Sequence, residues 1–270
     1  MQQPQSIEFL IDGLNSSDVE VRKQAIENAV HSADDAIIDR LIQLIQEPDF
    51  AQGSQEAVAI TLAQMPSGRG GAFLLKLICS ENSEFRSSAV VGLARLQTRD
   101  SISAQIKALA DDAKTVRNLS ERGLLSMIDA VRENGVEQLL ELLNHPVPLT
   151  RSPAARLLGL TRDARALDPL LRILRSDQVW LVRLWAAKGL GDLANAGAFD
   201  ALAETMRSDE KNRVRAAAAE AIGKLRTPQS KEVLQEALKD EDSGVREVAE
   251  EAIGGLQQAS YEDNDPFAED

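Results

Sequence analysis

Few side chains in this chain have both the type and the spacing that chemistry requires. The two histidines, His31 and His145, and the single cysteine, Cys79, lie far apart in sequence. Helical metal sites commonly place two histidines four residues apart, and no such pair occurs in the sequence. We therefore expect two surface histidines and a packed thiol, with no metal ion and no catalytic residue.

The glycine-rich segment SGRGG at residues 67–71 is the candidate for a phosphate-binding loop. A P-loop continues into Lys and then Ser or Thr, and it follows a strand, but this segment meets neither condition. We interpret it as a turn between repeats. The many carboxylates indicate solvated helix faces, so the sequence predicts no cofactor.

The two tryptophans, Trp180 and Trp185, stand out because aromatic residues make up only 3% of the chain. An exposed Trp185 close to Arg183 would suit the anchoring of a partner, since Trp and Arg are enriched at binding hot spots. The alternative is that Trp185 fills a wider gap between helices. The sequence leaves both interpretations open.

These side chains must be positioned by a segment that recurs every 31 to 34 residues. Its clearest copies are VRLWAAKGLGDL (182–193), VRAAAAEAIGKL (214–225) and VREVAEEAIGGL (245–256). We align the copies on the Arg of the Val-Arg pair and count other positions from it. The aligned residues are Arg22, Gln55, Arg86, Arg117, Arg151, Arg183, Arg215 and Arg246.

The repeated segment has the periodicity of a helix. Positions −1, +3 and +7 are four residues apart and lie on one helix face, with a small residue at +3 and usually Leu or Ile at +7. An amphipathic segment such as LDPLLRIL (167–174) precedes each copy, and Asp18 and Asp242 are candidate N-caps between the two. Glycine at +8 of the last four copies predicts close helix contact or fraying. The pattern predicts an all-α fold of eight helix pairs, or about sixteen helices.

The Val-Arg pair, the Ala run and the Leu/Ile-Gly of each second helix resemble the HEAT-like repeat, in the short form found in phycobilin lyase subunits. The resemblance extends from about Ser6 to Gln257 and is weakest in repeat 2, where Gln55 replaces the Arg. It implies a right-handed α-α superhelix (solenoid) of about eight HEAT-like helix pairs, whose second helices line a concave face. It also implies a scaffold or adaptor for protein partners. The alternative that it implies is a subunit of a phycobilin lyase or a related tetrapyrrole-handling chaperone, whose partner would be a bilin-bearing protein.

Position +5 of the second helix lies about 200° around from the core position +3, so it points away from the core. Lys and Arg outnumber Asp and Glu by 12 to 8 in residues 113–188, whereas acidic residues dominate both flanking segments. We predict that a protein partner binds with an anionic segment to the +5 cations and makes apolar contact nearby. The alternative is that +5 is an exposed position of random charge. The predicted binding residues are Arg122, Arg156, Lys188, Trp185, Ile60 and Val91.

Composition excludes other classes of function. The net charge of −13 argues against binding nucleic acid, and with the low aromatic content it fits poorly with base-excision chemistry on a HEAT-like scaffold. No segment approaches the roughly 20 apolar residues of a membrane span, and no signal-peptide pattern is present. With one cysteine, these features predict a cytoplasmic protein. We divide the chain into a repeat solenoid at 1–257 and an acidic, disordered tail at 258–270.

Overall fold

A computed structural model describes residues 7–32, 34–47, 50 and 52–262, with the main chain alone at 52 and 259–262. The chain divides into two compact units, Met1–Gly135 (unit 1) and Val136–Asp270 (unit 2). Every regular element within the described ranges is helical, which confirms the predicted all-α fold.

Unit 1 contains nine α-helices among its described residues. They are α1 (Ile7–Leu14), α2 (Val19–Ser32), α3 (Asp35–Leu44), α4 (Gln52–Gln64), α5 (Arg69–Leu77), α6 (Ser83–Leu93), α7 (Arg99–Ala108), α8 (Lys114–Ser126) and α9 (Ile128–Asn134).

Unit 2 contains eight α-helices in the part that the structure describes, and short 3₁₀ turns precede α12 and α14. The helices are α10 (Val136–Leu142), α11 (Pro148–Thr161), α12 (Leu167–Ser176), α13 (Trp180–Leu193), α14 (Phe199–Ser208), α15 (Asn212–Leu225), α16 (Ser230–Ala237) and α17 (Ser243–Glu262).

The predicted helix pairs form, and the second helices stack on one another within each unit. Helices α2, α4, α6 and α8 pack in succession in unit 1, and α11, α13, α15 and α17 do so in unit 2. Every +3 residue is buried, and so is every +7 residue except Ile253 in the last copy. The sequence did not predict α9, which lies in the longest repeat, between Arg117 and Arg151.

The glycines at +8 explain how closely the second helices approach. A Cβ added at Gly159 would lie 2.3 Å from the Cα of Gly189, and one added at Gly191 would lie 2.8 Å from the Cα of Ala221. A Cβ at Gly254 would meet nothing within 4 Å. Close helix contact is therefore confirmed for the inner copies and absent at the last one.

The two predicted N-caps are confirmed, whereas the end of the last helix differs from the prediction. Asp18 accepts a hydrogen bond from the main-chain N–H of Glu20 at 2.8 Å, and Asp242 accepts one from Gly244 at 2.9 Å. Helix α17 continues to Glu262, five residues beyond the predicted boundary at Gln257. Residues 263–270 lie outside the described residues, so the disordered tail stays a prediction.

Candidate partner-binding surface

In unit 1, three of the predicted binding residues lie on successive second helices. Ile60 on α4 and Val91 on α6 are half-buried, and Arg122 on α8 is exposed. All three occupy the +5 position, and α4, α6 and α8 pack side by side. The structure therefore places two apolar side chains and one cation in a row across the second-helix face of unit 1.

In unit 2, Arg156 and Trp185 contact each other across neighbouring second helices. The Cζ of Arg156 on α11 lies 5.0 Å from the centroid of the Trp185 ring on α13, and both side chains are half-buried. A cation–π contact at such a site is worth about 0.5–1 kcal/mol. Trp185 is thus partly accessible and is not enclosed between the helices.

Lys188, the third predicted cation, belongs to an alternating network of charges. Its Nζ lies 2.8 Å from Glu220, and Lys224 lies 2.9 Å from both Glu220 and Asp192. Burial raises the pKa of Glu220, but hydrogen bonds from Lys188 and Lys224 outweigh it and hold the pKa below its ordinary value. Burial conversely lowers the pKa of Lys224, and its two carboxylate partners outweigh that effect and raise the pKa. The positive charge of Lys188 is therefore already compensated.

A shallow groove of about 280 Å³ continues this face between α15 and α17. Its walls carry both signs of charge, from Glu220, Glu251, Lys224 and Arg226. The second-helix face of unit 2 therefore offers a cation stacked on an aromatic ring, followed by a mixed-charge groove.

The sequence interpretation missed a second arrangement, an Arg–Asp ladder at the turns that lead into the second helices. In unit 2, the Nε of Arg183 lies 2.7 Å from the Asp209 carboxylate, and the Nη1 of Arg183 donates to the carbonyl of Asp177 at 2.9 Å. Each ladder Asp therefore binds one Arg through its carboxylate and the next Arg through its main-chain carbonyl. The ladder pairs of unit 2 are Arg151–Asp177, Arg183–Asp209 and Arg215–Asp240.

The aligned Arg is thus a structural residue and does not offer a free anion-binding site. All seven aligned Arg residues donate from Nη1 to the carbonyl six residues earlier. The hydrogen bond with Asp209 raises the pKa of Arg183, and that with Arg215 lowers the pKa of Asp240. The signal was present in the sequence, because Asp recurs six residues before the aligned Arg in the last three copies.

The candidate metal and nucleophile residues remain apart. Nδ1 of His31 contacts the carbonyl of Glu27, and Nδ1 of His145 accepts from the N–H of Val147. Cys79 is exposed, so the expectation of a packed thiol was wrong: position 79 follows the last turn of α5 and lies outside its apolar stripe. No group of three or more His, Cys, Asp or Glu that could hold a metal ion occurs among the described residues.

The stacked helix pairs and their ladder define an α-solenoid, and sequence comparison assigns the repeat type. Residues 126–191 and 173–254 match the family model described as HEAT repeats. HEAT repeats are therefore present over residues 126–254, which confirms the predicted resemblance in that part of the chain. No curated protein sequence matches the chain.

Solved structures share the fold at low sequence identity. Kap95p, whose binding induces the switch loops of RanGDP to adopt the GTP-bound conformation, is 14% identical, with a TM-score of 0.61, over 94% of this chain and 40% of its own. The Escherichia coli protein YibA is 18% identical, with a TM-score of 0.53, over 93% and 92% of the two chains. The CpcE–CpcF complex of phycocyanin lyase from Nostoc is 18% identical, with a TM-score of 0.37, over 95% of this chain and 96% of its own. None of the helices in the described ranges has the length and apolar character to cross a membrane.

Proposed function

We propose that this chain is a non-enzymatic scaffold or adaptor that binds an anionic segment of a protein partner. The partner would lie on the face of the second helices, which we place on the concave side. Stacked helix pairs present an extended surface of this kind and are built for recognition. The observation that carries the proposal is the contact between Arg156 and Trp185 on that face.

Arg156 and Trp185 combine the two properties that an anionic segment with apolar side chains requires. The Arg guanidinium lies over the Trp ring, so part of the cost of ordering both side chains is met before a partner arrives. Arg and Trp are also the residue types most enriched among binding hot spots. This pair therefore forms the centre of the proposed site in unit 2.

The other predicted residues have subsidiary roles. Lys188 would exchange part of its interaction with Glu220 for a carboxylate of the partner, and this exchange makes its net contribution small. In unit 1, Arg122 would attract the anionic segment, while Ile60 and Val91 would give apolar contact. A rim charge such as Arg122 affects the association rate more than the dissociation rate.

The proposal is tested by affinity capture from native extract with a matched pair of variants. Arg156→Glu/Lys188→Glu changes the proposed face, and Arg172→Glu/Arg175→Glu makes the same charge change at two exposed residues of the first helix α12. We expect the first variant to reduce capture of the wild-type partners at least tenfold and the second to retain it. Circular dichroism must show unchanged helicity in both.

Other outcomes are equally decisive. Equal capture by both variants would place the binding surface elsewhere on the scaffold. If the wild type captures no protein but becomes coloured when it is expressed with a linear tetrapyrrole, the scaffold proposal is replaced by the tetrapyrrole-handling alternative.

A further inference from the structure

The start of the second helices in unit 2 carries an apolar surface that the proposed function does not use. Val147 and Leu149 at the start of α11 are 45% and 54% exposed. Trp180 and Leu181, at the start of α13, are half-buried. Leu149 and Leu181 occupy the same repeat position, two residues before the aligned Arg, and α11 packs against α13. These side chains therefore form one surface.

At this apolar surface, valines occupy the N-cap position where three other second helices have Asp or Asn, while Ala113 of α8 and Lys211 of α15 also provide no side-chain cap. Asp18, Asn82 and Asp242 each accept a hydrogen bond from a main-chain N–H two residues on, at 2.8 to 2.9 Å. The corresponding residues of α11 and α13, Val147 and Val179, provide no such bond. An apolar residue at an N-cap costs about 0.5–2 kcal/mol relative to Asp or Asn. Exposed apolar side chains at positions where helices prefer a polar N-cap residue are typical of an interaction site.

Two basic side chains flank this apolar surface, in turns whose ladder carboxylates are already paired with Arg. The Cζ of Arg213, at the start of α15, lies 5.8 Å from the centroid of the Trp180 ring, and Lys211 is exposed two residues before it. Glu210 opposes them and lies 4.0 Å from the Nζ of Lys211. The first-turn N–H groups of α11, α13 and α15 add partial positive charge. The surface therefore suits an apolar side chain flanked by carboxylates.

The chain itself contains a segment with this chemistry. Residues 263–270, DNDPFAED, hold four acidic residues, no basic residue and Phe267. We propose that the N-terminal edge of unit 2, comprising Val147, Leu149, Trp180, Leu181 and Arg213, binds residues 263–270 of a second copy of this chain. Phe267 would contact Leu149 and Trp180, and the carboxylates would lie near Arg213 and Lys211.

Chain length makes this contact intermolecular. The Arg–Asp ladder joins the turns before α11, α13, α15 and α17, so these helices begin at one end of unit 2 and Glu262 ends α17 at the other. The 20-residue helix is about 30 Å long, at 1.5 Å per residue. Phe267 is five residues beyond Glu262, and five extended residues span at most about 18 Å. Phe267 therefore falls short of the edge of its own copy.

Sedimentation velocity on the full chain tests the self-association. We expect wild type to associate as its concentration rises, and Leu149→Glu and Phe267→Ala each to weaken the association at least tenfold. Leu238→Glu is the matched control, because Leu238 is an exposed leucine of unit 2 outside the edge, at 39% exposure. We expect Leu238→Glu to associate as wild type does. We also expect 0.5 M salt to weaken the association of wild type, because salt screens the attraction between the carboxylates and the basic side chains.

A synthetic peptide with the sequence of residues 258–270 separates the edge from other contacts. Fluorescence anisotropy of the labelled peptide should show binding to wild type and to Leu238→Glu, and at least tenfold weaker binding to Leu149→Glu. A monomeric wild type that does not bind the peptide overturns the proposal, as does a peptide that binds Leu149→Glu as tightly as wild type. Neither result bears on the second-helix face, because no variant alters Arg156, Trp185 or Lys188.

Discussion

The two units are built from the same repeat but satisfy their polar groups in different ways. In unit 2, three successive ladder pairs join the turns before α11, α13, α15 and α17. In the described part of unit 1, the pair Arg86–Asp111 is the only ladder ion pair, and Gln55 replaces the Arg of repeat 2. Among the described residues, unit 1 also buries the side-chain polar atoms of Gln105 and Ser120 without a hydrogen-bond partner, whereas unit 2 does so with one atom, Oε1 of Gln138. The repeat therefore fixes the helix packing, while each unit differs in how well its buried polar groups are paired.

This difference predicts that the two units respond differently to the same substitution. The stability of a repeat array is approximately a sum of repeat and interface terms, so damage in one unit need not spread to the other. Urea unfolding should therefore be followed in each unit separately, for example by amide hydrogen exchange, since a single two-state transition is not assured.

The largest effect is expected from breaking the ladder of unit 2. Asp209→Asn should destabilise unit 2 by roughly 3–5 kcal/mol, because it leaves a buried guanidinium without its carboxylate. The side chains of Arg183 and Asp209 are 10% and 7% exposed, and the nearest substitute, Glu210, lies 3.6 Å from Arg183. Hydrogen exchange of α13 and α15 in urea measures the loss.

The matched substitution in unit 1 is Asp111→Asn, and its effect should be smaller. Arg86 also contacts Asp112 at 2.5 Å, so it keeps a carboxylate when Asp111 is neutralised. Equal losses at the two positions would contradict the view that the ladder matters more in unit 2.

Helix packing should show the opposite behaviour and respond alike in both units. Gly92→Ala and Gly159→Ala should each destabilise their unit by about 1–3 kcal/mol through overpacking. A Cβ at Gly92 would lie 2.7 Å from the carbonyl oxygen of Ala59, and at Gly159 it would meet the main chain of Gly189. Gly254→Ala should instead stabilise the protein by about 0.5–1 kcal/mol, because a Cβ at this position would meet nothing within 4 Å and Ala favours the helix over Gly. If Gly159→Ala and Gly254→Ala changed the free energy of unfolding in the same direction, this interpretation would be refuted.

The buried amide of unit 1 gives a smaller effect in the favourable direction. Gln105 is fully buried and occupies the repeat position that Leu74 occupies one repeat earlier. Gln105→Leu should stabilise unit 1 by about 1 kcal/mol, since it removes an unpaired polar group. The converse substitution Leu74→Gln should destabilise it, and urea unfolding measures both. A loss of stability for Gln105→Leu would show that ordered water satisfies the amide.

How well each of these features can be predicted from the sequence depends on how far apart along the chain the interacting residues lie. Burial at +3 and +7 could be predicted from helical periodicity and residue size wherever another second helix follows, as at Ala186 and Leu190, but not at Ile253 in the last copy. The ladder joins residues 25 or 26 apart, such as Arg215 and Asp240, and it required an alignment that included the turns.

The candidate site was predicted less completely for the same reason. Arg156 and Lys188 were found from their shared +5 position, but their environments differ through contacts between helices. Arg156 lies over Trp185, whereas Lys188 pairs with Glu220. Reading one column of an alignment shows the charge of each position but not the neighbour that compensates it.

The smallest effect concerns pH and again distinguishes buried from exposed pairs. The hydrogen bond from Arg215 lowers the pKa of Asp240 below its value in an unfolded chain, about 3.9. A carboxylate with a lowered pKa contributes stability that is complete above the unfolded pKa and is lost as pH falls through the folded pKa. The urea midpoint of unit 2 should therefore stay nearly constant between about pH 7 and pH 5 and fall below about pH 4. Asp240→Asn should lower the midpoint at neutral pH and flatten its decline in acid.

Glu236 has a pKa lowered in the same direction by Arg207, but both side chains are about half exposed, so Glu236→Gln should change stability by less than about 1 kcal/mol. If Glu236→Gln flattened the acid decline as much as Asp240→Asn, burial of the ladder would not be what distinguishes it from a surface ion pair.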